Sequence, residues 1–149
     1  MKKLLLPLLA GATVLAAPVW ADNSKDPVKA QVHYRQSLFT LVGAHMGKMG
    51  AVMKGKADYN AEAMVASANV LAALSAVADQ AFVLESAVQG SEAKKEIWSD
   101  KAEFDKRLAD FVSATATLAE NAGTEAGFKE NFSAVGKSCK ACHDQFKED

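Results

Sequence analysis

The residues of this 149-residue chain that could do chemistry are concentrated in one run near the C-terminus, Cys139-Lys140-Ala141-Cys142-His143. A Cys-x-x-Cys-His run is the attachment signature of a c-type haem. The two thiols add to the vinyl groups of the porphyrin, and the imidazole becomes an axial ligand of the iron. Residues three and four positions apart share a helix face, so both sulfurs and the His143 ring can meet one porphyrin. The run therefore predicts one covalently attached haem c per chain, with His143 as the iron ligand.

Three other uses of two nearby cysteines have to be weighed: a structural disulfide, half of a zinc site and a thioredoxin-like redox pair. A zinc site requires further Cys or His ligands close by, and the chain has only these 2 cysteines. A thioredoxin motif lies in a βαβ context, for which the sequence gives no sign. Haem attachment is the preferred interpretation, and the disulfide is the alternative that remains.

The N-terminus has the pattern of a secretory signal. Lys2 and Lys3 precede an apolar segment, residues 4–17, and a small-residue cleavage site follows. Residues 1–21 are therefore predicted to be a signal peptide that is removed on export. The apolar segment is too short to favour a membrane anchor. We expect a periplasmic protein with no anchor after processing, in a compartment where haem can be attached to reduced thiols.

The mature chain, residues 22–149, has the size of a single domain with one core. Without the two signal lysines, 15 of the 17 basic residues remain beside 18 acidic ones, which gives a net charge of −3. No run of basic residues is present. Nucleic acid and anionic membrane surfaces are therefore not expected as partners.

The element that carries the motif is predicted to be the last of four amphipathic helices. Apolar residues recur at steps of three and four along the mature chain, and alternation with a period of two is missing. In the second helix this stripe continues as far as Phe82, and a polar linker at residues 90–95 follows. In the last helix the stripe includes both cysteines. Capping signals mark the four starts: Asp26-Pro27, Asn60, Ser99 or Asp100, and Thr124. The pattern predicts an all-α, antiparallel four-helix bundle.

With these features the chain resembles the class II cytochromes c, chiefly cytochrome c′ and its low-spin relative cytochrome c-556. Residues 33–37 (His-Tyr-Arg-Gln-Ser) are similar to the first-helix motif of the family. Residues 96–100 (Glu-Ile-Trp-Ser-Asp) are similar to the start of its third helix, and residues 139–144 match its haem site. The resemblance covers essentially the whole mature chain. It implies a haem in the bundle core near the C-terminal helix.

The resemblance also bears on the iron position opposite His143. Four residues after the first-helix arginine, the low-spin branch carries a methionine that binds the iron, whereas cytochromes c′ carry an apolar residue that does not. Here Phe39 lies four residues after Arg35. The resemblance therefore implies a five-coordinate, high-spin iron whose sixth position is blocked by the Phe39 ring.

A five-coordinate iron can accept a small diatomic molecule when the blocking ring moves aside. Val32 and Val42 flank Phe39 and offer no hydrogen-bond donor, which disfavours dioxygen more than nitric oxide or carbon monoxide. The family implies the same preference, with proposed roles in nitric oxide tolerance and in electron transfer to an unidentified redox partner. No acid–base side chain is evident near Phe39, so we do not expect an enzyme such as a peroxidase.

The main alternative is a six-coordinate, low-spin electron-transfer cytochrome of the c-556 type. Methionines further along the first helix could supply the sixth ligand, although methionine at helical spacing is more often core filler. Histidine is also a competent haem ligand. The candidates are Met46, Met49, Met53, His33 and His45.

Four further residues are candidates for contact with the haem. Arg35 is a cation on an apolar stripe and needs an anion, for which a haem propionate is the natural partner; Gln36 beside it could assist. The resemblance places Glu92 at the haem edge and Lys147 close to the proximal imidazole. For Lys147, a favourable cation at a helix C-terminus is an equally good explanation.

The resemblance implies a homodimer, with the first two helices as the contact surface. Apolar or weakly polar residues that we expect to face outward are compatible with such a surface. They are Leu38, Leu41, His45 and Val52.

Overall fold

The computed structural model describes residues 25–148, so the signal peptide predicted for residues 1–21 lies outside the described residues. Four long helices form an antiparallel four-helix bundle, as predicted, in which α1 packs against α2, α2 against α4, and α4 against α5. A single-turn helix, α3, and a short 3-10 helix at Ala78–Phe82 lie between α2 and α4. The α-helices are α1 (Pro27–Met53), α2 (Ala61–Ala76), α3 (Glu96–Ser99), α4 (Lys101–Asn121) and α5 (Glu125–Phe146).

Three of the four predicted capping residues cap their helices; Asp100 precedes α4, but its side chain makes no capping hydrogen bond. The Asp26 carboxylate accepts a hydrogen bond from the Val28 N–H at 3.0 Å, and Pro27 is the first residue of α1. The Asn60 side chain caps α2, and the Thr124 hydroxyl caps α5. These side chains satisfy N–H groups that have no partner inside the helix.

The second helix is shorter than predicted, because α2 ends at Ala76 and the chain continues as the 3-10 helix. The tighter turn places the Phe82 ring 4.8 Å from that of Phe104. It also presents the carbonyl groups of Ala81 and Phe82 to side-chain donors from α1 and α3. Tertiary contacts therefore replace the helical continuation that the apolar spacing predicted.

Two clusters of buried side chains make up the core. One is supplied by the long helices and the residue that follows α4, and we name it the helical cluster. Its members are Val42, Met49, Val52, Met64, Ala68, Leu71, Phe111, Leu118, Ala122, Phe128, Phe132 and Val135. The other draws mainly on residues 77–100, the connection between α2 and α4, and we name it the connection cluster. Its members are Leu38, Ala78, Ala81, Phe82, Ala93, Ile97, Phe104 and Phe146.

The part of the connection that was predicted to be a polar linker is tied to the end of the chain. The Lys94 N–H donates to the Phe146 carbonyl at 3.0 Å, and the Glu148 N–H donates to the Glu92 carbonyl at 2.9 Å. Within this pairing, Ala93 is buried. The connection is therefore a structured wall of the bundle rather than a solvated loop.

The prediction of which α1 residues face outward is partly wrong. Leu38 belongs to the connection cluster and Val52 to the helical cluster, so both are buried. Leu41 is 52% exposed. The prediction treated α1 as having one buried stripe, but α1 packs against both α2 and the connection. None of the described helices is long and apolar enough to cross a membrane.

Candidate functional site

A cavity of about 580 Å³ is lined by residues of α1, α4 and α5 and by the connection. Its size lies within the range of about 300–1,000 Å³ that is usual for ligand and cofactor sites. Cys139, Cys142 and His143 all line it. So do the other side chains that the sequence placed at the site, namely Arg35, Gln36, Phe39, Glu92 and Lys147.

The two cysteines lie on α5 where the two core clusters meet. Cys139 packs against the helical cluster and Cys142 against the connection cluster. The motif thus faces the bundle interior, as its place on the apolar stripe predicted. Burial raises the pKa of both thiols, and for Cys142 the neighbouring Cys139 raises it further. Burial therefore favours the neutral thiol over the thiolate at both positions.

The environment of His143 favours the neutral imidazole. Burial lowers the pKa of His143, and the nearby Lys147 charge lowers it further, against weaker opposing effects of Asp144 and Glu92. A neutral imidazole is the form that keeps a nitrogen lone pair free to bind a metal. The side chain therefore has the protonation state that the predicted role requires.

Arg35 is held in a buried cage of neutral oxygens and aromatic rings. Its Nη1 donates to the Ala81 carbonyl at 3.1 Å and to the Ser86 hydroxyl at 2.9 Å, and its Nη2 donates to the Ser86 carbonyl at 3.2 Å. The guanidinium lies over the rings of Phe82 and Trp98. Backbone oxygens and π faces thus stabilise the cation, so the expectation that it requires an anion was incomplete. Burial lowers the pKa of Arg35.

One atom of Arg35 is left for a further partner. Its Nε is buried and makes no hydrogen bond within the described part of the chain. The residue lines the cavity, and Gln36 beside it donates to the Gly90 carbonyl at 2.9 Å. An unpartnered buried donor of a cation is suited to an anionic group at the edge of a cofactor.

The wall of the cavity contains a continuous row of aromatic rings. The Phe39 centroid lies 6.0 Å from that of Phe82, and the Phe82 centroid lies 4.8 Å from that of Phe104. Phe146, on α5, continues the row at 5.3 Å from Phe104. The row links Phe39 on α1 with the end of the helix that carries His143.

Lys147 lines the cavity. It was expected to lie on the last helix, but that helix ends one residue before it. It follows α5 in an extended conformation, and its N–H donates to the His143 carbonyl at 3.1 Å. Its ammonium group pairs with the Glu92 carboxylate at 3.1 Å. Glu92 has a φ of 55°, which is unusual for a residue other than glycine. The predicted edge residue, Glu92, and the predicted proximal residue, Lys147, therefore contact each other where both line the cavity.

The alternative iron ligands differ in their position. Met46 lines the cavity, whereas Met49 is fully buried in the helical cluster and Met53 packs against that cluster. His33 is exposed, and His45 is partly buried but does not line the cavity. Among the five candidates, Met46 alone could approach a group bound there.

Sequence reasoning missed a second arginine at the site, Arg107. It lines the cavity, and its Nε is buried without a hydrogen-bond partner in the described residues. Its Nη2 pairs with Glu103 at 2.6 Å. A signal for it existed, because Arg107 lies between Phe104 and Phe111 at helical spacing, the same pattern of a cation on an apolar stripe that drew attention to Arg35.

The comparisons with known proteins agree with this architecture. The family profile described as Cytochrome C′ matches residues 30–147. A cytochrome c′ from Alcaligenes xylosoxydans is 40% identical over 119 residues, which cover 78% of this chain and 92% of that protein. The chain belongs to the cytochrome c′ family. Cytochromes c′ carry covalently attached haem c, and the two cysteines of this chain are consistent with that attachment.

Solved cytochromes c′ have the same fold. The structure from Shewanella frigidimarina matches with a TM-score of 0.78 and 37% identity, and the match covers 82% of this chain and 97% of that one. A ferrous variant of the protein from Alcaligenes xylosoxidans, solved with bound NO, matches with a TM-score of 0.75 and 39% identity over 82% and 96% of the two chains. Members of this family are haem proteins that are generally not classed as enzymes.

The residues of this cavity fit haem c. The walls are largely apolar, two thiols and an imidazole line the same space, and two arginines each leave a buried Nε without a partner in the described chain. Apolar surroundings suit the porphyrin, and the arginine donors suit its two carboxylates.

Proposed function

We propose that this chain is an exported, high-spin cytochrome c′ that binds nitric oxide and carbon monoxide at a five-coordinate haem iron. Cys139 and Cys142 would hold the porphyrin by thioether bonds, and His143 would be the only protein ligand of the iron. Arg35, with Gln36, would bind a propionate. The bound haem supplies the iron at which a diatomic molecule is taken up. The residues of the chain would orient the haem, surround it with apolar side chains and restrict access to the iron with the Phe39 ring.

The observation that carries this proposal is the presence of Phe39 in the cavity lined by His143. A phenyl ring has no lone pair that could bind iron. Its neighbours in the wall are also apolar, Phe82 and Val42. These two side chains offer no hydrogen bond to the negative charge that develops on bound dioxygen, whereas nitric oxide and carbon monoxide depend less on one. The relative solved with bound NO supports the same choice of ligand.

The test is spectroscopic and uses the purified protein with its haem. We expect the resonance Raman and electron paramagnetic resonance signals of a five-coordinate, high-spin ferric haem, and one molecule of nitric oxide or carbon monoxide bound per ferrous haem. A low-spin ferric spectrum with a methionine charge-transfer band would contradict the proposal.

A second candidate deserves the same experiment because Met46 lines the cavity. In this alternative Met46 is the sixth ligand, and the protein transfers electrons as a low-spin cytochrome of the c-556 type. Met46 lies two turns beyond Phe39, roughly 10 Å further along the α1 axis. If Met46→Leu converted a low-spin spectrum to a high-spin one, this alternative would replace the first.

Three further elements belong to the proposal. Export to the periplasm follows from the predicted signal peptide, and fractionation of cells that express the full chain tests it. A homodimer is supported by Tyr34 and Leu41 on α1 and Val70 on α2, which are apolar and 41–52% exposed. We expect Leu41→Lys to convert a dimer to a monomer in sedimentation analysis. A redox partner, nitric oxide tolerance and the absence of enzymatic turnover complete the proposed role.

A further inference from the structure

The ring proposed to block the iron does not stand alone in the wall. Phe39 is only partly buried, and its ring is tilted by 58° against that of Phe82 at a centroid distance of 6.0 Å. Behind Phe82, the ring of Phe104 makes an edge contact at 4.8 Å. Phe82 is 8% exposed and Phe104 2% exposed. On the side that faces Phe82, the Phe39 ring therefore lies against a ring that is itself buried and packed.

Phe82 is in turn held by contacts to both its ring and its backbone. The guanidinium carbon of Arg35 lies 5.3 Å from the Phe82 ring centroid. Arg35 also binds the Ala81 carbonyl and both oxygens of Ser86. The indole N–H of Trp98 donates to the Phe82 carbonyl at 2.9 Å. The 3-10 helix that carries Phe82 is thus fixed by side chains from α1 and α3.

We propose that Phe82 is a positioning residue for ligand access: it determines how readily Phe39 moves, and the contacts of Arg35 and Trp98 determine how readily Phe82 moves. This inference rests on the proposed five-coordinate iron and goes beyond it. Phe39 on its own is a steric block of fixed size. Coupled to Phe82 it becomes a gate whose opening depends on the connection between α2 and α4.

The first experiment compares two truncations of the same kind. Carbon monoxide association with the ferrous protein is followed by stopped flow for Phe82→Leu and, as matched control, for Phe128→Leu. Phe128 is fully buried in the helical cluster and does not line the cavity. We expect association to become roughly three- to tenfold faster in Phe82→Leu, the change that corresponds to the loss of one aromatic contact. Phe128→Leu should leave the rate unchanged. Equal rates in the two variants would overturn the proposal.

The second experiment is a double-mutant cycle with Phe39→Ala. If Phe82 acts through Phe39, then Phe82→Leu should have little effect on association once the Phe39 ring is absent. If the same acceleration persisted in the Phe39→Ala background, Phe82 would be acting independently and the proposed coupling would be wrong. A general loosening of the fold would not produce this dependence.

A third measurement does not depend on ligand binding. Hydrogen–deuterium exchange of the peptide that spans residues 78–86 reports local opening of the connection in the haem-loaded protein. Trp98→Phe removes the indole N–H and keeps the Phe82 ring, so it serves if Phe82→Leu fails to fold. We expect faster exchange in this peptide and faster carbon monoxide association in Trp98→Phe. Faster exchange without faster association would contradict the gate.

The proposed five-coordinate haem and the proposed gate would be contradicted by different results. A six-coordinate spectrum of the unaltered protein would remove the proposed function, and the exchange data would still show whether Trp98 holds the connection. A five-coordinate spectrum together with an association rate that is indifferent to Phe82 would leave the proposed function intact and remove the gate.

Discussion

The two core clusters differ in the kind of chain that builds them. The helical cluster consists of residues from the four long helices together with Ala122, which directly follows α4. In the connection cluster, five of the eight buried members come from residues 77–100, between α2 and α4. The cavity lies where the clusters meet, because Cys139 packs against one and Cys142 against the other. One side of the site thus rests on regular helix packing, and the other rests on an irregular segment held by side chains.

Because of this difference, we expect the two clusters to have different roles in the molecule. In the helical cluster the backbone groups are mostly paired within the helices, and side-chain bonds such as that of the Tyr59 hydroxyl to the Ala122 carbonyl add to the burial of apolar side chains. The connection cannot bury its backbone in that way, so its carbonyl groups require donors such as those of Arg35 and Trp98. We therefore expect changes in the helical cluster to alter global stability, and changes in the connection cluster to alter the site.

The largest effect should come from the boundary between the clusters. In the double variant Cys139→Ala with Cys142→Ala, both thioether bonds are lost, so no haem should stay with the chain on a denaturing gel stained for haem. Ser138→Ala is the control, because Ser138 also lines the cavity but has no thiol. Haem retained by the double variant on that gel would show that the motif is not the attachment site.

Phe128→Ala tests the helical cluster. Phe128 is fully buried and packs against Tyr59 and Phe132. We expect the free energy of unfolding to fall by about 3–5 kcal/mol, as for other truncations of buried aromatic residues, with no change in carbon monoxide association. Chemical denaturation and stopped flow provide the two measurements. A changed association rate would mean that the clusters are not separable.

Arg35→Met tests the polar support of the connection. The variant leaves the Ala81 carbonyl and both oxygens of Ser86 without their donor, so we expect a loss of about 1–3 kcal/mol in the free energy of unfolding. Hydrogen exchange should accelerate at residues 78–86 and not in α4. Arg35→Lys is the control that keeps the charge and loses the forked geometry, and it should give an intermediate result. If exchange accelerated equally in α4, the connection would not be a separate unit.

Phe39→Ala tests the wall of the cavity where Phe39 packs against the connection cluster. Removal of the blocking ring should accelerate carbon monoxide association by at least about tenfold, a change of ~1.4 kcal/mol in the barrier. Because Phe39 is partly exposed, its loss should lower the free energy of unfolding less than that of Phe128. Stopped flow and denaturation are again sufficient. An unchanged association rate would refute the blocking role.

Glu92→Gln should have the smallest effect. It breaks the ion pair with Lys147, whose two side chains are 66% and 41% exposed, so we expect a change in stability below about 1 kcal/mol that vanishes at high salt. Asp105→Asn, which breaks an exposed pair with Lys101 on α4, is the control. If the Glu92 pair matters at the site, only Glu92→Gln should alter the resonance Raman signal of the iron–histidine bond. An unchanged iron–histidine signal in both variants would mean that the Glu92–Lys147 pair has no effect on the site.

The helical cluster and the connection cluster also differ in how well they could be predicted from the sequence. The capping residues Asp26, Asn60 and Thr124 and the apolar spacing located the long helices, because these features act locally. They also placed Cys139 and Cys142 toward the interior. Most of the helical cluster was therefore accessible from the sequence alone, although Val52, which was expected to face outward, belongs to it.

The connection was not accessible in that way. Phe82 continues a helical spacing from α2, yet α2 ends at Ala76 because donors distant in sequence bind the following carbonyl groups. Arg35 was expected to face an anion, and no local pattern revealed that Ser86 would accept its hydrogen bonds across 51 positions of the chain. Leu38 was placed outside for the same reason, since its cover comes from the connection.

The row of backbone and side-chain contacts that holds residues 77–100 has a consequence for how this type of protein can diverge. Lengthening a loop changes the free energy of chain closure only slowly, by about 0.6 kcal/mol per doubling. The packing of α1 against α2, of α2 against α4 and of α4 against α5 involves residues outside this segment. Insertions and deletions between Val83 and Glu92 can therefore reshape one wall of the cavity while the bundle stays constant. The cysteines that attach the cofactor lie on the helical frame, whereas part of the wall of the pocket is built by the connection.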